Sequence, residues 1–242
     1  MKPHQIQMSQ TKLWAVIPAA GSGSRFSKTE LKQYQTIQHK TVLEHTLDRL
    51  NTLPLAGYVL AISQQDTVAK TLDFTVPEKA HFCLGGAERV HSVLNALYYL
   101  TGIASDDDYV LVHDAARPCV SAENLNTLVN YCVEHDTSAI LAIPVRDTLK
   151  FATHQRIQNT VSREQLWQAQ TPQMAKLGVL REAIEQALVA QVNITDEASA
   201  LEHAGVPVDV VQGRSDNIKI TYTDDLELAR LILASQQASS IG

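Results

Sequence analysis

The first candidate for chemistry is a loop of small residues that follows an apolar run near the amino terminus. Its sequence is Pro18-Ala19-Ala20-Gly21-Ser22-Gly23-Ser24-Arg25. Small residues let backbone N–H groups approach an anion closely, and Arg25 adds a forked cation, so the loop is suited to cradling phosphate. It lacks the Walker A ending and the third glycine of a dinucleotide fingerprint, so a flexible connection remains an alternative. Lys32 is near enough to add a second cation, although its spacing alone favours surface exposure.

A second candidate is a carboxylate at the end of another apolar run. Asp114 directly follows residues 109–113 and precedes Ala115-Ala116-Arg117-Pro118. Mg²⁺ usually takes one or two carboxylates and leaves its other positions to phosphate oxygens and water, so an isolated aspartate here suits nucleotide-bound Mg²⁺. An aspartate that caps a turn before the proline is the alternative. The acidic run at residues 106–108 precedes the strand, at the wrong end of the sheet, and is interpreted as a solvated loop.

Further polar residues have both a functional and a structural interpretation. The pair Gly85-Gly86 would let a base or ribose approach the backbone, with Ser92 on the helix that follows, but a plain turn fits equally well. Lys219 stands between two isoleucines, where strand alternation places it on the opposite face, either in solvent or in a site. Ordinary explanations as hairpin residues, surface cations or helix caps apply to Thr148, Arg163, Thr171 and Thr195.

The elements that must position these residues alternate between strand and helix patterns. Apolar runs of strand length occupy residues 13–18, 58–62, 81–84, 109–113, 139–145 and 208–211, and a short strand is predicted at 218–221. Helical patterns occupy residues 41–53, 67–72, 88–100, 122–134, 176–190 and 196–204, and a last helix begins at Asp224. This rhythm predicts an α/β fold with a mostly parallel sheet covered by helices. Ligands of such sheets bind beyond the carboxyl ends of the strands, where the loop after residue 18 and Asp114 would lie.

Residues 144–165 interrupt this rhythm. Residues 148–151 and 156–161 have the pattern of two short strands around a polar stretch, so an arm that projects from the sheet is expected. The chain shows no internal repeat and no linker. Residues 1–242 are therefore expected to form a single domain that carries this arm.

Composition limits the class of protein. Of the 242 residues, 45% are hydrophobic and 19% are charged, which supplies enough apolar material for one large core. The net charge of −6 opposes non-specific nucleic-acid binding. No apolar run approaches the length of a membrane span and the polar start does not resemble a signal peptide, so a cytoplasmic protein without membrane or nucleic-acid partners is expected. Cys83, Cys119 and Cys132 form no C-x-x-C pair and are expected to be core residues.

The remaining inventory favours transfer of a phosphoryl or nucleotidyl group. A serine nucleophile is not supported, because the chain has no G-x-S-x-G motif, and no carboxylate pair stands out as an acid/base couple. What remains is a set of cations, one carboxylate and a glycine loop. Such a set positions reactants and neutralises charge without forming a covalent intermediate.

Several motifs occur together and in order along the chain. They are the loop at residues 18–25 with Lys32-Gln33-Tyr34, His113-Asp114-Ala115-Ala116-Arg117-Pro118, Pro144-Val145-Arg146-Asp147-Thr148, Gln170-Thr171-Pro172-Gln173, Thr195-Asp196-Glu197-Ala198-Ser199 and Asp216-Asn217-Ile218-Lys219. Together they resemble the 2-C-methyl-D-erythritol 4-phosphate cytidylyltransferase family, from about residue 13 to about residue 230. The resemblance implies a Rossmann-like nucleotidyltransferase fold. It also implies the conversion of CTP and methylerythritol phosphate to 4-diphosphocytidyl-2-C-methyl-D-erythritol and pyrophosphate in non-mevalonate isoprenoid biosynthesis.

The resemblance implies roles for individual residues as well. CTP would contact Pro18, Ala19, Ala20, Gly21, Gly23, Arg25, Lys32, Asp114 and Lys219, with Gly86 and Ser92 recognising the cytosine. Methylerythritol phosphate would meet Asp114, Ala115, Arg117, Thr148, Arg163, Thr171, Thr195 and Lys219. Asp114 would hold Mg²⁺, the expected cofactor. The arm would cross to the second subunit of a homodimer, so its residues would serve the neighbouring active site.

The chemistry implied by the resemblance is the neutralisation of repulsion between two polyanions. Arg25, Lys32 and Lys219 would act with Mg²⁺ on the non-bridging oxygens and the departing pyrophosphate, while Arg163 would hold the attacking phosphate in line. A phosphate already presents an ionised oxygen, so no general base is needed.

The chain departs from the family pattern at three positions, and three different functions compete with this interpretation. The family pattern often has a proline at the position of Leu31, and an aspartate at the positions of Ala87 and Ser162. Ribitol 5-phosphate cytidylyltransferase shares the loop and the Asp-Ala-x-Arg-Pro element, but its pattern has glycine at Ala20 and valine at Ala116. A non-catalytic nucleotide-binding module is a second competing function, and the retained cations argue against it. A nicotinamide-dependent oxidoreductase is the third, and the missing third glycine argues against it.

Overall fold

The computed structural model describes residues 11–21, 26 and 31–239. The strands in these ranges are β1 (Leu13–Pro18), β2 (Thr36–Ile37), β3 (Lys40–Thr41), β4 (Gly57–Ile62), β5 (Ala80–Leu84), β6 (Tyr109–Val112), β7 (Ser138–Pro144), β8 (Leu149–Thr153), β9 (Arg156–Val161), β10 (Trp167–Lys176) and β11 (Val208–Gln212). The α-helices are α1 (Val42–Leu50), α2 (Arg89–Thr101), α3 (Ala122–His135), α4 (Leu177–Val189), α5 (Glu197–His203) and α6 (Asp224–Ser239). Short 3₁₀ turns occupy Lys32–Tyr34, Ala69–Thr71 and Pro77–Lys79.

Seven of these strands form one sheet, in the order β11-β7-β10-β6-β1-β4-β5. β1 pairs in parallel with both β4 and β6, β4 pairs in parallel with β5, and β7 pairs in parallel with β11. β10 lies between β6 and β7 and is antiparallel to both. The mostly parallel sheet predicted from the alternating pattern is confirmed. The carboxyl ends of β1, β4, β5 and β6 meet at one edge of the sheet.

The two faces of the sheet are covered by different helices. Leu13, Ala15 and Ile17 of β1 belong to a buried cluster with side chains of α1 and α3. Trp14 and Val16 point the other way and belong to a cluster with side chains of α2 and α4. Strand side chains alternate between faces, so a strand that is covered on both sides must be apolar throughout. This explains the uninterrupted apolar run that identified β1 in the sequence.

The helix boundaries follow from local hydrogen bonding. At the start of α1, the Glu44 N–H donates to the Thr41 hydroxyl oxygen at 3.2 Å, and the Thr41 N–H donates to the Glu44 carboxylate at 2.6 Å. This reciprocal capping box satisfies two backbone donors that a helix start leaves unpaired. At the start of α3, the Asn124 N–H donates to the Ser121 hydroxyl oxygen at 3.2 Å. Both helices thereby begin close to the residues that the sequence pattern indicated.

The arm predicted from the interrupted rhythm is a hairpin of β8 and β9. The two strands pair antiparallel in a sheet of their own. Their large apolar side chains are exposed, with 58% of Phe151 and 61% of Ile157 accessible to solvent. Within the described part of the chain, these apolar side chains of the hairpin stay uncovered.

The longest strand in the described residues, β10, was missed by the sequence analysis. Its middle section is Gln170-Thr171-Pro172-Gln173, a polar stretch with a proline, and such a stretch is atypical of a central strand. The register of β10 against β7 shifts between Ala169 and Gln173, which accommodates the proline. The polar side chains are buried because each finds a hydrogen-bond partner within the fold. The small β2–β3 hairpin was also missed.

Two other expectations were wrong. Residues 218–221, predicted as a short strand, belong to no strand; the Ile220 N–H instead donates to the Ala116 carbonyl at 2.9 Å. This backbone bond ties the segment to the loop after β6, and one backbone bond does not make a sheet ladder. The helix predicted over residues 67–72 is only the 3₁₀ turn Ala69–Thr71. Within the described ranges, no helix has the length and apolarity required to cross a membrane.

Candidate active site

A cavity of about 500 Å³ opens at the edge of the sheet where β1, β4, β5 and β6 end. Most of the residues that the sequence predicted for nucleotide binding line this cavity. They are Pro18, Ala19, Ala20, Gly21, Lys32, Gly86, Ser92, Asp114 and Lys219, together with the substrate-binding candidate Ala115. Residues separated by some 200 positions in the chain therefore share one pocket. Gly23 and Arg25 lie outside the described residues.

The first wall of the pocket is the loop that leaves β1. The Ala19 N–H donates to the Ala61 carbonyl at 2.8 Å, and the buried amide of Gln33 donates to the Ala19 carbonyl at 3.0 Å. The neighbouring wall has no room for larger residues, because a Cβ on Gly85 would lie 2.3 Å from the Cβ of Ala20. The backbone at Gly85 therefore packs closely against the Ala20 side chain. The Ser92 hydroxyl accepts the Gly86 N–H at 3.0 Å and so fixes this second loop.

Asp114 is the electrostatic centre of the pocket. Its Oδ1 accepts from Arg89 Nε at 3.0 Å, and its Oδ2 accepts from Lys219 Nζ at 2.8 Å. Arg117 Nε lies 3.5 Å from the same Oδ2. Burial alone would raise the pKa of the Asp114 carboxyl, but Arg89, Lys219 and Arg117 outweigh burial and hold it far below its usual range. Asp114 is therefore ionised at neutral pH.

Arg89 and Glu197 are site residues that the sequence analysis did not single out. Glu197 is only 2% exposed, and its two carboxylate oxygens accept from Arg89 Nη1 at 2.6 Å and Nη2 at 3.0 Å. Burial disfavours the Arg89 cation, but the attraction of Glu197 and Asp114 outweighs it and raises the pKa of the guanidinium. Arg89 lines the pocket, whereas Glu197 lies behind it. The inclusion of Glu197 in the motif at residues 195–199 was the only sequence signal available.

Lys219 is held in place by backbone contacts on both sides. Arg117 Nη1 donates to the Asn217 carbonyl at 2.6 Å. The Ile220 N–H donates to the Ala116 carbonyl at 2.9 Å, and Lys32 Nζ donates to the Ile220 carbonyl at 2.8 Å. Residues 217–221 therefore form a strap across the end of the sheet. Through it, the two lysines predicted to bind the triphosphate lie in one pocket.

A chain of hydrogen bonds fixes the backbone at Asp114 from below. The Asp114 N–H donates to the Thr171 hydroxyl oxygen at 3.1 Å, and that hydroxyl lies 3.0 Å from His113 Nδ1. His113 Nε2 lies 3.0 Å from the Arg117 carbonyl, which can only accept, so Nε2 carries the proton and Nδ1 accepts from Thr171. Burial lowers the pKa of His113 to about 4, because the Arg117 carbonyl and the Asp114 charge do not outweigh the lost hydration. The imidazole is neutral at neutral pH.

The remaining predicted residues do not line the pocket. Thr171 is 5% exposed with its hydroxyl engaged as described, and Arg117 is largely buried beneath Asp114. Thr195 is exposed just before α5. Thr148 and Arg163 are exposed on the arm, where the Arg163 guanidinium donates to the Arg146 carbonyl. The structure therefore brings together the described members of the predicted nucleotide-binding set and leaves the two arm residues away from the cavity.

The donor set limits how a metal can bind. Among the described residues, no group of three or more His, Cys, Asp or Glu side chains is arranged to hold an ion. Asp114 offers one carboxylate to the pocket, already paired with cations. Mg²⁺ is commonly held by one or two carboxylates with phosphate oxygens and water completing the shell. The residues present fit a metal that arrives with a triphosphate.

The fold and the pocket together define an α/β nucleotidyltransferase. A family model described as 2-C-methyl-D-erythritol 4-phosphate cytidylyltransferase matches residues 13–235. Proteins of that name from Acinetobacter baylyi and Vibrio vulnificus are similar to the chain. The first is 69% identical over 98% of this chain and all of its own length, and the second is 47% identical over 95% and 98%.

Solved structures agree with the sequence relatives. The crystal structure of the Francisella tularensis 2-C-methyl-D-erythritol 4-phosphate cytidylyltransferase is 37% identical, covers 92% of this chain and 100% of its own, and superposes with a TM-score of 0.79. A crystal structure of 4-diphosphocytidyl-2C-methyl-D-erythritol synthase, 38% identical over 93% and 99% of the two chains, gives 0.81. The chain belongs to the 2-C-methyl-D-erythritol 4-phosphate cytidylyltransferase family. It is an enzyme of that class, and the ribitol 5-phosphate alternative is set aside.

Proposed function

We propose that the pocket binds CTP as its Mg²⁺ complex and transfers the cytidylyl group to 2-C-methyl-D-erythritol 4-phosphate. An oxygen of the methylerythritol phosphate attacks the α-phosphorus of CTP, a new P–O bond forms, the α–β anhydride bond breaks, and pyrophosphate leaves. The observation that carries the proposal is the convergence of Lys32 and Lys219 with Asp114 in one cavity. Two polyanions can approach there because the positive groups are already in place.

Individual roles follow from position. The backbone of residues 18–21 and Lys32 hold the triphosphate, and Lys219 stabilises the charge that develops around the α-phosphorus. The loop at Gly86, which is fixed by the Ser92 hydroxyl, receives the base. Arg25 lies outside the described residues, and its contact with CTP stays a prediction from the family resemblance. No general base is required, because the attacking phosphate is already ionised.

The expected cofactor is Mg²⁺, which Asp114 and the phosphate oxygens of the nucleotide would hold. When bound, it would neutralise the non-bridging oxygens of the triphosphate and make pyrophosphate a better leaving group. The Asp114 carboxylate is suited to this role because its three cationic neighbours keep it ionised. Lys219, which lies 2.8 Å from Asp114, would then be shared between that carboxylate and the nucleotide.

The arm is proposed to carry the contact of a homodimer. Phe151 and Ile157 project from it with more than half of each side chain exposed, and a second copy of the chain would bury them. Thr148 and Arg163 do not reach the cavity of their own chain. In the dimer they would bind methylerythritol phosphate in the neighbouring pocket, with Arg163 orienting the attacking phosphate.

The test of the reaction is pyrophosphate release from CTP and Mg²⁺ in three parallel assays. Methylerythritol phosphate, ribitol 5-phosphate and no acceptor are compared at equal enzyme concentration. Fast release of pyrophosphate is expected only in the assay that contains methylerythritol phosphate. Equal release with ribitol 5-phosphate, or release without an acceptor, would contradict the proposal. The cytoplasmic location expected from the sequence stays a prediction, to be checked by cell fractionation.

A further inference from the structure

The Arg89 guanidinium connects two carboxylates that come from different parts of the fold. It lies in the first turn of α2, donates through Nε to Asp114 Oδ1 at 3.0 Å, and donates through both terminal nitrogens to Glu197 at 2.6 and 3.0 Å. Glu197 belongs to the first turn of α5 and is 2% exposed. All three nitrogens of the guanidinium thereby donate to a carboxylate. The planar fork leaves little rotational freedom to Arg89 or to the carboxylate it reaches.

The position of Glu197 is itself fixed from behind. It follows Asp196, whose carboxylate accepts the Ser199 N–H at 3.0 Å and the Gln173 amide at 2.9 Å. The Ala198 N–H donates to the side-chain oxygen of Gln173 at 2.8 Å. Gln173 is 2% exposed and lies on β10. A buried strand therefore anchors the start of α5, and the start of α5 anchors Glu197.

The charge of Glu197 also sets the balance of the cluster. Arg89, Arg117 and Lys219 supply three positive charges against the two negative charges of Asp114 and Glu197. Without Glu197, Arg89 would be free to turn wholly toward Asp114 or toward an incoming phosphate. In either case the pairing of Asp114 with Lys219 would change, because both cations share the same carboxylate.

We propose that Glu197 and Arg89 are positioning residues for cytidylyl transfer: Glu197 orients Arg89, and Arg89 fixes the Asp114 carboxylate against which Lys219 is aligned. The inference rests on the proposed function of the pocket. It assigns a role to a side chain that lies outside the cavity. A structural pair would stabilise the fold alone, whereas a positioning pair changes the rate of the reaction when the geometry is altered and the charge is kept.

The test compares Arg89→Lys, Arg89→Gln and Glu197→Gln with the matched control Arg181→Gln. Arg181 also makes a guanidinium–carboxylate fork, to Asp106 at 2.9 Å, but it does not line the pocket. Each of the first three variants is expected to lower kcat on the order of 10- to 100-fold, the usual cost of losing a partner that orients a reactive group. The KM for CTP is expected to change much less, because the triphosphate contacts remain. Arg181→Gln should keep wild-type kcat.

Arg89→Lys is the decisive variant, because lysine keeps the charge and cannot fork between two carboxylates. A near wild-type kcat for Arg89→Lys, with only a lower melting temperature, would overturn the proposal in favour of a structural pair. A Glu197→Gln protein that melted at a lower temperature but turned over normally would overturn it as well. If Glu197→Gln does not fold, the Arg89→Lys result decides the question.

A second arm asks whether the effect passes through Asp114. Arg89→Gln is combined with Asp114→Asn, and the combined loss in kcat is expected to lie within about 2-fold of the Asp114→Asn loss, because residues that act through one another are not additive. Fully multiplied losses would show that Arg89 acts on the nucleotide directly and would overturn the proposed chain of contacts. Failure of the wild-type protein to release pyrophosphate would instead refute the proposed function itself, so the two failures are distinguishable.

Discussion

At the scale of the residue, the site is a set of charges whose positions are fixed before the ligand arrives. Lys219 and Arg89 reach opposite oxygens of one carboxylate, and Lys32 is held by a backbone carbonyl of the strap. Preorganised groups of this kind need no rearrangement as charge develops in the transition state. The spacing of Lys32 alone favoured an ordinary surface residue, whereas the family resemblance assigned it to the nucleotide, and the fold places it in the pocket wall.

Removal of either lysine is expected to slow the reaction. Lys32→Ala and Lys219→Ala should each lose on the order of 2 to 4 kcal/mol of transition-state stabilisation, the usual effect of one preorganised electrostatic partner. Steady-state kinetics of pyrophosphate release measure this loss as kcat/KM. Lys70→Ala is the matched control, since Lys70 is exposed and does not line the pocket. Near wild-type turnover in both pocket variants would refute these roles.

The buried His113 makes stability depend on pH in a defined window. Its pKa is lowered to about 4 in the folded protein, so between that value and the ordinary 6.5 the unfolded chain binds one more proton. The contribution of the neutral His113 to the free energy of unfolding is fully present above pH 6.5. It is lost as the pH falls toward 4, by about 3 kcal/mol in total. Urea unfolding of wild type and His113→Gln at pH 7, 6, 5 and 4 gives the free energy of unfolding at each pH. The contribution of His113 is the difference between the two proteins in how steeply this free energy falls with pH. The same pH dependence of the unfolding free energy in both proteins would show that His113 does not cause the loss of stability.

At the scale of the element, the site depends on a strand that the sequence did not reveal. Hydrophobic period identified β1, β6 and the helices, because each must bury an apolar face. The same reasoning missed β10, since its buried residues Gln170, Thr171 and Gln173 are polar and are satisfied by partners distant in the chain. The ion pair between Arg89 and Glu197 was not predicted for the same reason. A contact across 108 positions has no local signature.

Thr171 tests the link between β10 and the site. Its hydroxyl accepts from the Asp114 N–H and donates to His113, so the isosteric Thr171→Val leaves both groups buried and unpaired. The expected cost is about 1 to 3 kcal/mol of unfolding free energy. Chemical denaturation checks the stability, with Thr127→Val on the exposed face of α3 as the control. Unchanged stability in Thr171→Val would contradict the hydrogen-bond assignment.

At the scale of the whole molecule, the arm is the part of the fold whose exposed apolar side chains a single chain does not explain. Most of the sheet is covered on both faces, whereas β8 and β9 are exposed along their length. The sequence predicted both the hairpin and its position, because turn residues and strand patterns are local. In the proposed dimer, the hairpin packs against a second copy of the chain.

Charge placed on the arm is expected to break that dimer. Phe151→Asp with Ile157→Asp should shift the protein from dimer to monomer in analytical ultracentrifugation, because the apolar contact is lost while each chain keeps its core. Activity should fall with the dimer if Arg163 acts in the neighbouring pocket. A matched double change at Val189 and Leu228, exposed residues away from the arm, should leave the mass unchanged. A wild-type protein that is already monomeric would refute the dimer.

The central claim is that cations far apart in the sequence hold the phosphates of one bound CTP. A crystal structure of the protein with CTP and Mg²⁺ measures this directly. We expect the triphosphate in the cavity at the end of β1, with Lys32 Nζ and Lys219 Nζ both within hydrogen-bond distance of its oxygens. A nucleotide bound elsewhere, or a triphosphate in the cavity that touches neither lysine, would contradict the account.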